Sequence, residues 1–206
     1  MAFRKVIPIH DRETTQDKLV LSVGRIIAEK GFAELTAENV AEEAKADRSV
    51  IYRTFGGLNG LVAAFGETSH FWPDVNELLS CCERKVEELT PGEVMYEFFR
   101  AYSRSILKRP QTLDIMAREN LERNRYSRIL EQVRVRVALE YFEHMKQDPP
   151  EEVDLTALVA LIASAVTSMA VRSRTGRFFG GIDLQSEKGW QRLDKTLEYL
   201  FIKTLG

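Results

Sequence analysis

Arg48, Ser49, Tyr52 and Arg53 lie close together in one short segment. On a helix advancing about 100° per residue they share an arc of roughly 140°, while Val50, Ile51, Thr54 and Phe55 take the other side. The first side offers two guanidinium groups, a phenol and a hydroxyl, which suit phosphate oxygens and the base edges of a major groove. The second is apolar enough to anchor in a core. Lys45 and the Thr36 hydroxyl flank the same surface, and Asp47 is placed to cap the helix, with N-terminal N–H groups that can approach a phosphate. Tyr52 is expected to rest its ring at the helix edge and to reach phosphate with its hydroxyl. The plainer explanation, arginines that are merely solvated, does not account for their sharing one face with Ser49.

These residues need short helices to hold them, and the dominant apolar period of the chain is helical. Leu19, Val20, Val23, Ile26 and Ile27 form one stripe, Thr14 with Asp17 has the form of a capping box, and Gly31 is placed to end the helix. A second helix starts at Thr36 and carries Val40, Ala41 and Ala44; the third runs to Phe55 and stops at Gly56-Gly57. Three short helices with a tight second turn match a helix-turn-helix. Beyond Leu58 a helix is expected from Pro73 through Val86, another from Pro91-Gly92 to Pro110, and a long one from near Leu121 to Met145. Val153 to Arg172 is apolar on nearly every side and is expected to be buried on nearly every side. Trp190, Leu193, Leu197, Leu200 and Phe201 mark a last amphipathic helix. Asn59-Gly60 reads as the one hairpin dipeptide, with no alternating runs beside it. The expected fold is all-α, with a DNA-binding unit over 1–57 and a ligand-binding and dimerisation unit over 58–206.

Other chemistry is sparse. Trp72, Phe98, Phe99, Tyr102, Met116, Asn120 and Tyr141 form an aromatic set with occasional polar tips, suited to a mostly apolar ligand pocket or to ordinary core. Arg118, Arg123, Arg125, Arg128, Arg134 and Arg136 stand among Glu119, Glu122 and Glu131, which reads as a solvated face with local ion pairs or as a receptor for an anion. Cys81 and Cys82 are adjacent and have no metal-ligand or disulfide-framework spacing. Phosphate-loop, nucleophile-elbow and paired-carboxylate motifs do not appear, so no enzyme class, metal or cofactor is indicated. The net charge of the chain is −2; its first 57 residues hold nine basic residues, Arg4, Lys5 and Arg12 among them, and nine acidic ones, so DNA affinity would have to come from local arrangement. The uncharged run Leu155–Val171 falls short of the roughly 20 residues of a membrane span. MAFRKVIPIH lacks the apolar block of a secretory signal. These features lead us to expect a cytoplasmic, metal-free protein with no membrane partner.

Ile26-Ile27-Ala28, Gly31-Phe32, Thr36, Val40-Ala41, Ala44, Ile51-Tyr52, Phe55 and Leu61 resemble the DNA-binding domain of the tetracycline-repressor family over about the first 60 residues. The resemblance implies a homodimer that binds double-stranded operator DNA through Thr36, Lys45, Arg48, Ser49, Tyr52 and Arg53, and a small apolar or amphipathic effector that releases it. It implies a repressor at family level, since nothing in these residues encodes the sign. Lys45-Ala46 stands where the family usually has Gly-Val, and Leu58 where it often has a phosphate-contacting lysine. The alternative is a helical small-molecule-binding dimer that has lost specific DNA binding.

Overall fold

The computed structural model describes residues 14–206, so readings that involve Arg4, Lys5, His10 and Arg12 lie outside the described residues. These residues form ten α-helices, two short 3-10 helices and one small hairpin. In α1 (Thr15–Lys30) the Thr14 hydroxyl accepts the Asp17 N–H at 3.1 Å, while the Asp17 carboxylate accepts the Thr14 N–H at 2.9 Å. That is the reciprocal box expected from the sequence. Thr36 caps α2 (Ala37–Ala44) by accepting the Asn39 N–H at 3.1 Å. Arg48 holds the cap position of α3 (Ser49–Phe55), and Asp47 accepts the Ser49 N–H at 2.7 Å from one residue further out. Lys45 makes the turn between α2 and α3 in the left-handed region, φ 52° and ψ 47°.

α1 packs against α2 and α4 (Leu58–Gly66), and α3 packs on α4. Leu19, Val23, Ile26, Ile27, Val40, Ile51 and Leu61 are buried between them. Asn59-Gly60, read as a hairpin dipeptide, lies inside α4. A Cβ on Gly60 would sit 1.9 Å from the Phe55 carbonyl oxygen, so this glycine serves the close approach of the end of α3, not a turn.

The remaining helices are α5 (Val75–Ser80), α6 (Pro91–Leu107), α7 (Pro110–Glu119), α8 (Arg125–Phe142), α9 (Leu155–Arg172) and α10 (Glu187–Leu205). α6 lies at the centre, against α5, α7, α9 and α10; α7 reaches back onto α1, and α8 onto α4. One continuous apolar core therefore runs from the N-terminal helices into the rest.

Several expectations change. α5 stops at Ser80 and Val86 falls in a separate 3-10 helix, because Glu83-Arg84-Lys85 supplies no apolar position to extend the stripe. α8 begins after Asn124, whose side chain caps it, and Leu121 is left 87% exposed. Gly180-Gly181, with positive φ at both residues, turns a hairpin between Phe178–Phe179 and Ile182–Asp183 that the sequence reading misses. The largest change is α9: within this chain only Val166 and Ala170 of that helix are buried, and Leu161 is 70% exposed. α9 takes in Arg172 and so reaches the length and apolarity of a membrane-crossing helix, by length and composition alone.

Candidate nucleic-acid interface and ligand cavity

Ile51 anchors α3 with no exposed surface, while Arg48, Ser49, Tyr52 and Arg53 all face outward, Tyr52 at 56% exposure. Thr54, expected on the anchored side, is exposed as well, because a seven-residue helix laid across α1 and α4 covers only a narrow stripe. Lys45 is exposed beside this surface and Thr36 is half-buried. The Thr36 oxygen is engaged as an acceptor in its cap, which leaves its O–H free to donate outward. Arg48 pairs with Glu38 of α2, both side chains being more than half exposed. Such a surface pair is worth little, so a phosphate can compete for the guanidinium. Hydrogen bonds from Ser49 hold the Asp47 carboxyl below the usual carboxylate range, and Glu38 is held low by its own backbone N–H and then by Arg48. The face is thus a mixture of fixed charges of both signs.

A groove of about 550 Å³ adjoins it, lined by Thr36, Tyr52, Leu58 and Asn59 on one side and by Arg125 and Tyr126 of α8 on the other. The Arg125 guanidinium lies 4.6 Å from the Tyr126 ring centroid and donates to its hydroxyl at 2.5 Å. Leu58 is half-buried there and packs against the core. Arg125 is the residue sequence reasoning missed at this surface. No local spacing connects the first turn of α8 with α2–α4.

Behind these helices are two adjoining cavities. An apolar chamber of about 260 Å³ is lined by Trp72, Phe98, Phe99, Tyr102, Met116 and Phe142. A more polar one of about 390 Å³ is lined by Glu119, Asn120, Arg123, Glu131, Arg134 and Ser168. Met116, Glu131, Arg134, Ala163 and Thr167 line both. Six of the seven residues expected at a ligand pocket therefore reach a cavity wall. Tyr141 does not: it is fully buried, 5.1 Å from Phe98 between ring centroids, and its hydroxyl lies 3.2 Å from the Cys82 sulfur. Burial pushes the Tyr141 phenol far above its ordinary value, so it serves as a neutral core group.

Where the two cavities meet, Arg134 donates to both oxygens of Glu119, at 3.1 and 2.7 Å. The two side chains are only 15% and 11% exposed. The guanidinium also lies 5.6 Å from the Trp72 ring centroid. Burial raises the Glu119 carboxyl above the usual range, against the pull of Arg134. Arg123 pairs with Glu131 at 2.7 Å. Arg118, Arg123 and Arg136 pair with Glu122, Glu131 and Glu140 nearby along the chain, as on a solvated face, whereas Arg134 is mostly buried with Glu119.

The end of α7 and the residues just after it join the cavity to the N-terminal helices. Arg118 donates to the carbonyls of Ala28 at 3.0 Å and Glu29 at 2.7 Å, and Glu122 accepts the Phe32 N–H at 2.8 Å. The exposed carbonyls at the end of α1 are thereby satisfied by the same segment whose Glu119 and Asn120 line the polar cavity.

Residues 25–65 match the model of the bacterial regulatory proteins, tetR family, a stretch holding the end of α1, all of α2 and α3, and all of α4 but its last residue. A comparison with curated proteins finds no match. Among solved structures, a TetR-like transcriptional regulator from Rhodococcus sp. RHA1 is 15% identical, with 94% of this chain and 97% of that one covered at a TM-score of 0.57. The fatty acid degradation regulator FadR from Bacillus halodurans is 14% identical, with 92% and 99% covered and a TM-score of 0.59. A TetR family transcription regulator from Marinobacter aquaeolei VT8 is 11% identical, with 93% and 95% covered and a TM-score of 0.58. At these identities the likeness is one of fold. The stretch 25–65 is thus similar to the tetR family model, and the chain as a whole shares the fold of these solved regulators.

Proposed function

We propose that this protein is a homodimeric repressor that binds operator DNA through α3 and is released when a small apolar or amphipathic molecule occupies the cavities behind it. The observation that carries the DNA-binding reading is the geometry of α3: Ile51 is fixed in the core and Arg48, Ser49, Tyr52 and Arg53 are presented together outside. Arg48 and Arg53 are assigned to base edges or phosphates, and Ser49, Tyr52, Lys45 and Thr36 to the backbone, where contacts fix register without reading sequence. Arg125 supplies the cation that Leu58 does not. In this reading 1–57 is the DNA-binding unit and 58–206 the ligand-binding and dimerisation unit.

Dimerisation is supported by α9, whose apolar face this chain leaves uncovered, and by Tyr199, Leu200 and Ile202 on α10, exposed at 64%, 43% and 37%. Two such helix pairs about a two-fold axis would form a four-helix bundle and set the spacing of two copies of α3 on one face of the duplex. Trp72, Phe98, Phe99, Tyr102, Met116 and Asn120 are assigned to the ligand. For it to release DNA it must bind the DNA-incompetent arrangement better, since equal affinity for both shifts nothing.

The alternative, a small-molecule-binding dimer without specific DNA binding, draws on the even charge balance of residues 1–57 and on Leu58. A gel shift with the promoter region of the protein's own gene separates the two. The repressor reading expects a specific complex that Arg48→Ala or Arg53→Ala weakens by roughly 1–3 kcal/mol where that arginine contacts a base in bidentate fashion. Unchanged binding by both variants would remove α3 from the interface.

A further inference from the structure

The charges at the cavity junction are not equivalent, and their difference selects a ligand. Among the described residues Arg134 is the one cation set against the aromatic wall of the apolar chamber, and Glu119 is its bidentate partner. Asn120, Arg123 and Glu131 complete the polar side, with Arg123 already paired to Glu131. Resting on the effector reading above, we propose that the ligands of this cavity are apolar molecules with a single carboxylate head, and that Arg134 receives the head in exchange for Glu119.

The reasoning is one of which partner can be left behind. A cationic ligand would have to take Glu119 or Glu131. Glu131 and its partner Arg123 are 42% and 67% exposed, so that pair offers a cation little; taking Glu119 strands a mostly buried guanidinium, and arginine cannot shed its charge. Leaving a buried charge without its partner is strongly unfavourable. An anionic ligand strands Glu119 instead. That group can be neutralised by a proton, and burial already favours its protonated form. It also has Arg123 on the same cavity wall. A carboxylate restores the planar two-point pairing that Arg134 now makes with Glu119. Meanwhile the ligand's apolar body takes the chamber of Trp72, Phe98 and Phe142, which offers few polar groups. The Tyr102 hydroxyl is committed to Thr167 at 2.5 Å.

The test uses three probes of one chain length, octanoate, octylammonium and octanol, on a full-length Trp190→Phe variant so that Trp72 reports the chamber by fluorescence. Octanoate is expected to bind at least tenfold more tightly than octanol, and octylammonium more weakly than either. Glu119→Gln weakens the resident competitor and should tighten octanoate several-fold with octanol unchanged. Because Arg134→Gln alone strands Glu119, the double variant Glu119→Gln/Arg134→Gln is the matched control. It should lose the preference for octanoate and keep its affinity for octanol. Octylammonium binding best, no octanoate binding at millimolar concentration, or a double variant that still prefers octanoate would each overturn the proposal. Promoter-DNA affinity is measured in the same samples. Head-group selectivity with unchanged DNA binding overturns the repressor-release reading alone and leaves the carboxylate site standing.

Discussion

Lys45 sits at φ 52°, a conformation that costs an L-residue roughly 1–2 kcal/mol and glycine almost nothing. Its retention there is explained if the ammonium is needed at the DNA face. Lys45→Gly is accordingly expected to stabilise the fold by about 1 kcal/mol, a rise in melting temperature of about 2–4 °C for a chain of this size. The same change should flatten the plot of log affinity against log salt by about one unit, the effect of one phosphate no longer neutralised. Calorimetry and a salt titration check the two halves, which move in opposite senses. Leu58 and Arg125 line one groove and make a complementary pair of tests. Arg125→Ala should flatten the salt slope by about one unit with little change in sequence preference, and Leu58→Lys should steepen it by as much. A slope that ignores Arg125→Ala would place that guanidinium away from the duplex. Leu58→Lys also gives up half-buried apolar contact, so its melting temperature should fall.

Among elements, the end of α1 is one place where the N-terminal helices are tied to the rest. Gly31 adopts φ 91° and ψ 173°, a region costing other residues about 1–3 kcal/mol. A Cβ there would also stand 2.7 Å from a Glu122 carboxylate oxygen. Gly31→Ala is expected to destabilise the protein by about 2–3 kcal/mol and, by displacing Glu122, to expose the Phe32 amide. Hydrogen exchange at Phe32 should then accelerate more than at Ile51, which lies in the core of the same unit. Equal acceleration at both would mean that the whole unit, and not this clamp, is loosened. The cavity wall and the clamp share the end of α7, so in the effector reading proposed above this short segment links cavity occupancy to α1.

At the scale of the whole molecule, α9 and α10 present apolar surface that a single chain does not cover. Leu197 of the amphipathic α10 packs within its own chain, and Phe201 is buried with its ring stacked on Phe99 at 5.4 Å. The large apolar residues left exposed on these helices are Leu161 on α9 and Tyr199, Leu200 and Ile202 on α10. Leu161→Glu is therefore the sharper probe of assembly. It is expected to leave the melting of the monomer nearly unchanged, to convert dimer to monomer by sedimentation at micromolar concentration, and to abolish tight operator binding. A parent protein that sediments as a monomer at that concentration would remove the dimer and, with it, the paired reading of two half-sites.

The sequence by itself determined what depends on neighbours along the chain. The Thr14–Asp17 box, the Thr36 cap, the Gly56-Gly57 stop and the outward face of α3 follow from side chains three or four positions apart, and all are present. The aromatic residues of the chamber were legible as a set by their residue type and occasional polar tips, not by any spacing. Tertiary structure decided what joins distant segments. The contact of Glu122 with Phe32 spans 90 positions and that of Arg134 with Glu119 spans 15, and no local period encodes either. Arg125 reaches the groove of Thr36 and Leu58 only because α8 crosses α4. What covers α9 lies beyond local spacing for a related reason. An apolar period states that surface must be removed from water, not whether the same chain or another removes it.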